Sequence, residues 1–456
     1  MNPTLKRTLG LPSLIAVGVG VVVGQGPLVT NLHGVGISAS GFFIALIVAF
    51  VLTISYVFTF TELSLMLPKA GGISTYTEVA IGHFPAIVVT IGGYVGMSIF
   101  AGAADLFLLN FVLDVLYPGA IPHAGLWIFL LIIVLNVLGI DVFASAQNML
   151  AYTMLAVMLV VGIAGLGSAE AAGAPVSNLF SGFHSIDGNF LSLTVLALWA
   201  FVGLEFMCPL VEETIDPERN LPRAMFISSL ILLIAYGLFT LAGYHLVAAG
   251  VLKDSPVPHW ELIRALFGDS GRLLMAVLAV TAASTSINTG IASVSRMMYG
   301  MAQNGQLPGW FGKLHPKYRS PWFSILFLCC SAVSAYLVFA KSQNVVILMM
   351  ISATTIWLLV YIIAHIDLIV LRRRCPGLKR PFRSPLYPAP QIVGIIGMVY
   401  LLFNNSPEPE MTRTVYLSTG MILVVVSLFA ACWIRFAMKK SLFEPVPIET
   451  SPLTPR

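Results

Sequence analysis

The sequence predicts an all-α membrane protein with twelve transmembrane helices in a single transmembrane domain. Apolar residues make up 58% of the 456-residue chain and charged residues only 10%, whereas soluble domains carry about 25% charged residues. Apolar runs follow one another along the chain, and most are long enough to cross a hydrocarbon core, which takes about 20 residues. In addition, the first and sixth runs are interrupted near their middle, which predicts how the helices are arranged.

Each apolar run is interpreted as one membrane-spanning helix, because the runs are separated by short polar or glycine- and proline-containing segments. The longest polar stretch, 372–387, is a loop and is too short for a soluble domain. Lys6 and Arg7 precede the first run without a convincing cleavage site, which indicates a retained helix rather than a signal peptide. The runs lie at 11–36, 40–67, 85–116, 124–140, 142–166, 190–211, 224–250, 271–302, 321–340, 344–371, 388–404 and 413–437.

The distribution of lysine and arginine predicts the orientation in the membrane. Of 24 such residues, 19 fall on the side of the N-terminus and on the loops of that side. The opposite side carries five: Lys253, Arg264, Arg272, Lys341 and Arg413. Because cytoplasmic loops carry the excess of positive charge, we expect a multi-pass protein of the cell inner (cytoplasmic) membrane with both termini in the cytoplasm.

Two of the predicted helices are discontinuous. The first contains Gly24-Gln25-Gly26-Pro27 near mid-membrane, where proline lacks an N–H and glycine favours unwinding. The sixth contains Gly203, two residues before Glu205. Interrupted helices at corresponding positions of two five-helix halves predict an inverted repeat with a binding site between them. The predicted parts are a first repeat at 11–166, a second repeat at 190–371, two additional helices at 388–437 and a cytoplasmic tail at 438–456.

Two of the acidic residues inside apolar runs are candidates for a site, because a carboxylate there is costly and usually marks a transport path or a site. Glu205 is followed by the charged segment 212–225, and a broken helix with such a charged cap indicates a secondary transporter. Asp105 lies deep in the third helix. An acid there would favour a cationic group or carry a proton; the alternative is an acid that reaches water or a helix partner.

Several motifs along the chain point to one superfamily. They are Gly24-Gln25-Gly26, ELSLMLPKAGGISTYTEVAIG at 62–82, WAFVGLE at 199–205, EETIDPERNLPRAM at 212–225, the stretch 287–321 and LRRRCPGLKRPFRSPLYP at 371–388. Together they resemble the amino acid–polyamine–organocation superfamily of transporters over about residues 8–390. The resemblance implies a LeuT-type fold, which is a five-plus-five inverted repeat with two further helices that works by alternating access.

The resemblance also implies a substrate site at the broken helices. The unwound centre of the first helix would bind an α-carboxylate through the backbone amides of Gln25 and Gly26, and a helix N-terminus attracts an anion. Backbone carbonyls near Val22, Trp199 and Val202 would then accept from the α-amine. The predicted substrate-binding residues are Val22, Gly24, Gln25, Gly26, Asp105, Trp199 and Val202.

Three residues are predicted to act in gating. The resemblance makes Trp199 an aromatic side chain that covers the substrate; the alternative is a tryptophan facing lipid or the core. Glu205 would be a gate or a structural hydrogen-bond partner rather than a direct ligand. Tyr94 would line the pocket or form an interhelical hydrogen bond, as polar residues of core helices commonly do.

The coupling mechanism is left open by the sequence. Proton-coupled members of the superfamily often carry a lysine in the fifth helix, but 142–166 contains no Lys or Arg and Met154 lies near the expected position. Sodium-dependent members use Ser or Thr of the eighth helix, where Ser284, Thr285 and Ser286 lie. We expect transport to persist without sodium. A coupled proton or a counter-substrate both stay possible partners.

No enzyme motif is present: there is no G-x-S-x-G, H-E-x-x-H or G-x-x-x-x-G-K. No histidine or cysteine spacing indicates a metal or cofactor, and the basic residues follow topology rather than a nucleic-acid surface. The sequence therefore predicts a permease or antiporter for amino acids in the lipid bilayer. The alternative is a polyamine or biogenic-amine transporter of the same fold, supported by Asp105 and Glu205; an amine would have no carboxylate for the Gln25 and Gly26 amides.

Overall fold

The computed structural model describes residues 5–120, 122–168, 173–181, 190–339, 343–404 and 409–447. Within these ranges the chain is helical, and the one extended pairing is an isolated parallel bridge between Leu9 and Thr214. The predicted all-α class is therefore confirmed. Lys341, which contributed to the predicted orientation, and the predicted tail beyond residue 447 lie outside the described residues.

The first half of the chain begins with a bent pair of helices. They meet at 59° across Val23 and Gly24, so Gln25 and Gly26 belong to the second helix rather than to the break itself. Pro27 lies in that helix's first turn, where a missing N–H costs nothing. The helices are α1 (Leu11–Val22), α2 (Gln25–Ile37), α3 (Ala39–Met66), α4 (Ile73–Ala80), α5 (His83–Val88), α6 (Gly96–Leu116), α7 (Ala124–Val137), α8 (Ile140–Gly167) and α9 (Val176–Ser181).

The second half also begins with an interrupted helix. Regular helix ends at Leu198 and resumes as a 3-10 helix over Leu204–Glu213. Between them, Gly203 has φ 123°, a conformation that glycine adopts without strain. The helices are α10 (Phe190–Leu198), α11 (Pro217–Leu246), α12 (Ala249–Asp254), α13 (Pro258–Phe267), α14 (Arg272–Gln303), α15 (Trp322–Phe339), α16 (Gln343–Arg374), α17 (Ala389–Phe403) and α18 (Pro409–Cys432).

Seven helices of the described residues are long and apolar enough to cross a membrane, and the bent pair α1–α2 makes an eighth candidate span. Three shorter apolar helices, α7, α15 and α17, fall below that length. The chain is therefore a multi-pass, all-helical membrane protein.

Both described terminal segments pack at one end of the bundle, called the terminal end below. The Thr8 and Leu9 amides donate to the Glu213 carbonyl at 2.9 and 3.0 Å, and the Glu213 carboxylate accepts from Arg296 of α14. The Val446 amide donates to the Glu78 carbonyl at 3.0 Å, and the Glu78 carboxylate accepts from Asn304, just beyond α14. Because one end of α14 meets both segments, the two segments lie on the same side.

Candidate functional site

A cavity of about 80 Å³ lies where the two interrupted helices meet. Its walls come from the α1–α2 break, α6, the turn after α10, α14 and the neighbouring helices α7, α15 and α16. A single water needs only about 10–15 Å³ of such space, so the cavity has room for more than one water. Six of the seven predicted substrate-binding residues line it: Val22, Gly24, Gly26, Asp105, Trp199 and Val202.

The first break presents free helix-terminal amides to this cavity. Gly24 precedes α2 in extended conformation, and no side chain caps the helix. The first amides of a helix have no partner within the helix, and the helix dipole adds positive potential at that point. Since Gly26 lines the cavity, this end of α2 has the character of an anion-binding site.

The carbonyl of Val22, predicted to accept from a substrate amine, already has two donors. The Gly24 amide lies 3.1 Å away, and the hydroxyl of Tyr236 on α11 lies 3.4 Å away. These bonds hold the end of α1 in its unwound form. They also leave this carbonyl less free for a ligand than the sequence suggested.

Gln25 is the predicted residue whose side chain does not line the cavity. Its amide nitrogen donates to the Ala279 carbonyl at 3.0 Å, and its amide oxygen lies 3.1 Å from Nε2 of His259. The side chain is fully buried. Its role toward the cavity is therefore limited to its backbone, while its side chain joins the break to α13 and α14.

The second break, between Leu198 and Leu204, is stabilised by a side chain of another helix. The hydroxyl of Tyr56 on α3 donates to the Phe201 carbonyl at 2.5 Å, which satisfies a backbone group of the turn. Trp199 and Val202 line the cavity from this turn. Phe206, one turn further on, joins them.

Glu205 does not line the cavity. Its buried carboxylate accepts hydrogen bonds from Trp357 Nε1 at 2.8 Å, the Tyr361 hydroxyl at 2.9 Å and the Tyr94 hydroxyl at 3.3 Å. Tyr361 in turn stacks on Tyr56 with ring centroids 4.4 Å apart. Of the two roles considered for Glu205, these contacts favour the structural one, and Tyr94 forms an interhelical bond rather than a wall of the cavity.

Asp105 faces the first break. It is 8% exposed and lines the cavity together with Ser286 of α14. A Cβ placed on Gly24 would lie 3.6 Å from Asp105 Oδ1 and 3.6 Å from Ser286 Oγ. None of the ion pairs among the described residues includes Asp105. The cavity thus contains a carboxyl group beside a helix N-terminus, with a serine hydroxyl at the same wall.

The hydroxyl groups considered for sodium coupling point in different directions. Ser286 lines the cavity, whereas the Thr285 hydroxyl bonds back to the Thr281 and Ala282 carbonyls and lies 3.7 Å from Met154 Sδ. The Thr285 hydroxyl is therefore engaged within its own helix.

A buried amide chain connects four helices near the cavity. Asn136 donates to Asn288 at 2.7 Å, Asn288 donates to Gln147 at 2.8 Å, and Gln147 donates to the Ala16 carbonyl of α1 at 3.1 Å. Asn288 therefore makes interhelical bonds on both sides. Asn110 does the same with Tyr336 and the Gly125 amide.

Sequence reasoning missed several walls of the cavity. Trp357 of α16 and Phe206 provide aromatic surface, Met97 provides a flexible apolar wall, and Gly290 leaves open space because no atom lies within 4 Å of a Cβ built on it. Each lies in an apolar run with no local signal that distinguishes it from a lipid-facing or packing residue. Only the geometry of the broken helices brings them together.

The fold and the site together define a membrane transporter built around paired broken helices. The family model for amino acid permeases matches residues 9–429, so the chain belongs to the amino acid permease family. It is a secondary amino acid transporter and not an enzyme, and the resemblance to the amino acid–polyamine–organocation superfamily is confirmed.

Relatives agree with this assignment. The chain is 26% identical to a serine/threonine exchanger of Bacillus subtilis (87% of this chain, 91% of the relative) and 26% identical to a branched-chain amino acid permease of the same organism (92% of each). It is also 26% identical to the human large neutral amino acids transporter small subunit 2 (88% of this chain, 74% of the relative).

Solved structures agree on the fold. A crystal structure of a manganese transporter mutant from Eremococcus coleocola has a TM-score of 0.62 at 14% identity, and the match covers 95% of this chain and 98% of that one. At this identity the likeness concerns the fold alone.

Proposed function

We propose that this amino acid transporter has the twelve-helix LeuT-type arrangement, with repeats at 11–166 and 190–371 and two additional helices at 388–437. Among the described residues, eight candidate spans, three shorter apolar helices and the interrupted α10 with its 3-10 extension support this proposal, in which each of them crosses the membrane once. An even number of crossings agrees with two terminal segments at one end. The excess of Lys and Arg supports a cytoplasmic location of that end in the inner membrane.

The substrate's α-carboxylate binds at the N-terminus of α2, on the backbone amides of Gln25 and Gly26. The observation that carries this proposal is the uncapped helix start that opens into the cavity. The α-amine faces the carbonyls near Trp199 and Val202 on the second break, with the Val22 carbonyl as a further acceptor. Trp199 covers the substrate. Tyr94 and Glu205 position the second break, which carries Trp199.

The side chain of the substrate lies against apolar walls, which favours a neutral amino acid. Met97, Phe129, Ile287 and Leu328 provide apolar surface in the cavity, and burial of apolar area contributes about 25 cal/mol per Å². The names of the three relatives refer to serine and threonine, branched-chain and large neutral amino acids. An amine substrate is less favoured, because it offers no carboxylate to the α2 amides.

Uptake into proteoliposomes tests this function. We expect uptake of a labelled neutral amino acid, competition by other neutral amino acids, weaker competition by a basic amino acid and none by a diamine. Competition by the diamine equal to that of the amino acids would contradict the proposed carboxylate site. The absence of uptake and exchange for every amino acid tested, by protein that is folded in the vesicles, would contradict the substrate class.

The same vesicles test ion dependence. We expect uptake or exchange to persist when choline replaces sodium, because the Thr285 hydroxyl is engaged within its own helix. Strict dependence on sodium that is lost in Thr285→Ala or Ser286→Ala would contradict this expectation and indicate an ion site on α14.

A further inference from the structure

Asp105 is close to the place where the substrate carboxylate is proposed to bind. Its Oδ1 and the Ser286 hydroxyl oxygen both lie 3.6 Å from the Cβ position of Gly24, the residue directly before the α2 amides. Asp105, Gly24 and Gly26 line one cavity. A carboxylate held by the amides of Gln25 and Gly26 would therefore be a near neighbour of the Asp105 carboxyl group.

Two ionised carboxylates in that space would repel each other in a medium of low dielectric constant, and one of them would have to be neutral. Burial of an unpaired carboxylate is already unfavourable without the substrate. The bound state therefore demands either a nearby cation or a proton.

No side-chain cation of the described residues fills that role. The other titratable groups on elements packed against α6 are not cationic side chains or are already engaged: Cys329, Cys330 and Tyr336 on α15, His33 on α2 (bonded to the Ser255 carbonyl), and Tyr361 on α16 with Tyr94 (both bonded to Glu205). α7 has no titratable residue.

The charged groups of the two longest neighbours of α6 are paired elsewhere or, for Arg373 and Arg374, exposed in the last turn of α16. On α14, Arg272 is at the first residue and pairs with Asp269, while Arg296 pairs with Glu213 near the other end. On α16, His365 and Asp367 bond to Thr59 and Thr77, and Arg372 pairs with Glu62. Among the described residues, Asp105 thus faces a serine hydroxyl and apolar groups and has no cationic partner.

We propose that Asp105 takes up a proton when the amino acid binds, so that the transporter carries a proton together with its substrate. The proton comes from solution and forms an O–H bond on one carboxyl oxygen of Asp105, which donates to the substrate carboxylate. When the amino acid leaves, the carboxylates separate and the proton returns to water. This inference rests on the proposed carboxylate site.

The alternative role for Asp105 is an ionised ligand of the substrate amine, and the two roles predict opposite dependence on pH. If binding takes up a proton, affinity falls as pH rises, because the free transporter must be protonated first. If an ionised Asp105 pairs with the amine, affinity rises with pH until Asp105 is fully ionised. Linkage gives the slope as the number of protons exchanged on binding.

The experiment is a series of binding isotherms for a labelled neutral amino acid on the purified protein, from about pH 5 to about pH 8.5. We expect log Kd to rise by about one per pH unit where the free transporter is ionised, and Asp105→Asn to remove this slope. Asp114→Asn is the matched control on the same helix, since Asp114 is exposed and outside the cavity; it should keep the slope.

A second measurement does not depend on a variant. Addition of the amino acid to wild-type protein in weakly buffered solution should remove about one proton per molecule bound. A wild-type Kd that is independent of pH, or an affinity that rises with pH and is lost in Asp105→Asn, would overturn the proposal while leaving amino acid binding intact. Wild-type protein that is folded but binds no amino acid at any pH would overturn both this inference and the proposed function.

Discussion

The two ends of the helix bundle are held together by different types of interaction. At the terminal end, charged side chains link segments that are distant in sequence. At the opposite end, the described residues are linked mainly by neutral hydrogen bonds around Gln25. The cavity lies between these ends, so the strength of the contacts at each end affects how the transporter opens.

At the terminal end two carboxylates, Glu213 and Glu62, are buried and bonded to arginine side chains. Arg296 makes two bonds to the Glu213 carboxylate, from Nε at 2.5 Å and from Nη2 at 3.1 Å, and both side chains are almost fully buried. Glu62 accepts two bonds from Arg372 and one from the Ser384 amide. These contacts join α14, α3 and α16 to the neighbouring loops.

A second cluster at the same end involves the C-terminal segment. The buried carboxylate of Glu78 accepts from Asn304 at 2.5 Å and Gln306 at 2.6 Å, and Nζ of Lys440 lies 3.2 Å from His83. Burial raises the pKa of the Glu78 carboxyl group, while His83, Lys440 and Asn304 act in the opposite direction. The C-terminal segment is thus anchored beside α4.

At the opposite end, His259 of α13 meets Gln25 at 3.1 Å and His33 of α2 meets the Ser255 carbonyl at 2.9 Å. The ion pair found there among the described residues, Arg272 with Asp269, is largely exposed. A neutral hydrogen bond contributes about 0.5–1.5 kcal/mol and an exposed ion pair about 0–1 kcal/mol. We therefore expect opening of this end to require less free energy than opening of the terminal end.

The largest effect is expected for Arg296→Ala. The substitution leaves the buried Glu213 carboxylate without its partner, which should lower the free energy of unfolding by about 3–5 kcal/mol. Thermal unfolding in detergent measures the change. The double variant Glu213→Ala with Arg296→Ala should lose less stability than Arg296→Ala alone, because no unpaired charge is left. If Arg296→Ala were as stable as wild type, the terminal end would not be held together more strongly than the opposite end.

A smaller effect is expected for Glu62→Gln. A neutral amide keeps the size of the side chain but weakens the charge-assisted bonds to Arg372, and such bonds contribute about 1.5–3 kcal/mol. The same unfolding assay applies. Glu218→Gln is the matched control, because Glu218 pairs with Lys379 at an exposed site. Equal losses for Glu62→Gln and Glu218→Gln would show that burial does not strengthen the terminal end.

The smallest effect of the three is expected for His259→Leu. Leucine approximates the size of the imidazole but removes its hydrogen bond to Gln25, which should cost about 1 kcal/mol. Because this bond joins α13 to the first break, the variant should also expose the cavity more often. A cysteine at Gly290 would report this as faster labelling in the His259→Leu background than in the wild-type background. A loss of stability equal to that of Arg296→Ala would contradict the expectation that the terminal end is held together more strongly than the opposite end.

The sequence was sufficient for the helical class and for both interruptions, since glycine and proline act locally through backbone geometry. Gly203 has φ 123° in the second break, a conformation that glycine adopts without strain, and glycine at position 24 lowers the helix propensity at the first break. The direction of the Gln25 side chain could not be predicted, because it depends on His259 and Ala279, both more than 200 residues away. The break was also predicted too late in the chain, at Gly24–Pro27 instead of Val23 and Gly24, since proline begins helices as readily as it ends them.

The hydrogen-bond partners of the acidic residues could not be predicted from the sequence either. Composition marks Asp105 and Glu205 as costly, but it does not reveal how each is satisfied. The three donors to Glu205 come from positions 94, 357 and 361, and Ser286 meets Asp105 across two helices. These contacts depend on the packing angle of the helices, which no spacing in the sequence encodes.

The central claim is that amino acids bind at the α1–α2 break, and Gly26→Leu tests it most directly. Gly26 lines the cavity, so a leucine side chain there should occupy the space above the α2 amides. Gly420→Leu on α18 is the matched control, since no atom lies within 4 Å of a Cβ at that position. We expect Gly26→Leu to lose binding of a labelled neutral amino acid while its unfolding temperature stays close to that of Gly420→Leu, which should bind like wild type. Binding by Gly26→Leu with wild-type affinity would contradict the claim.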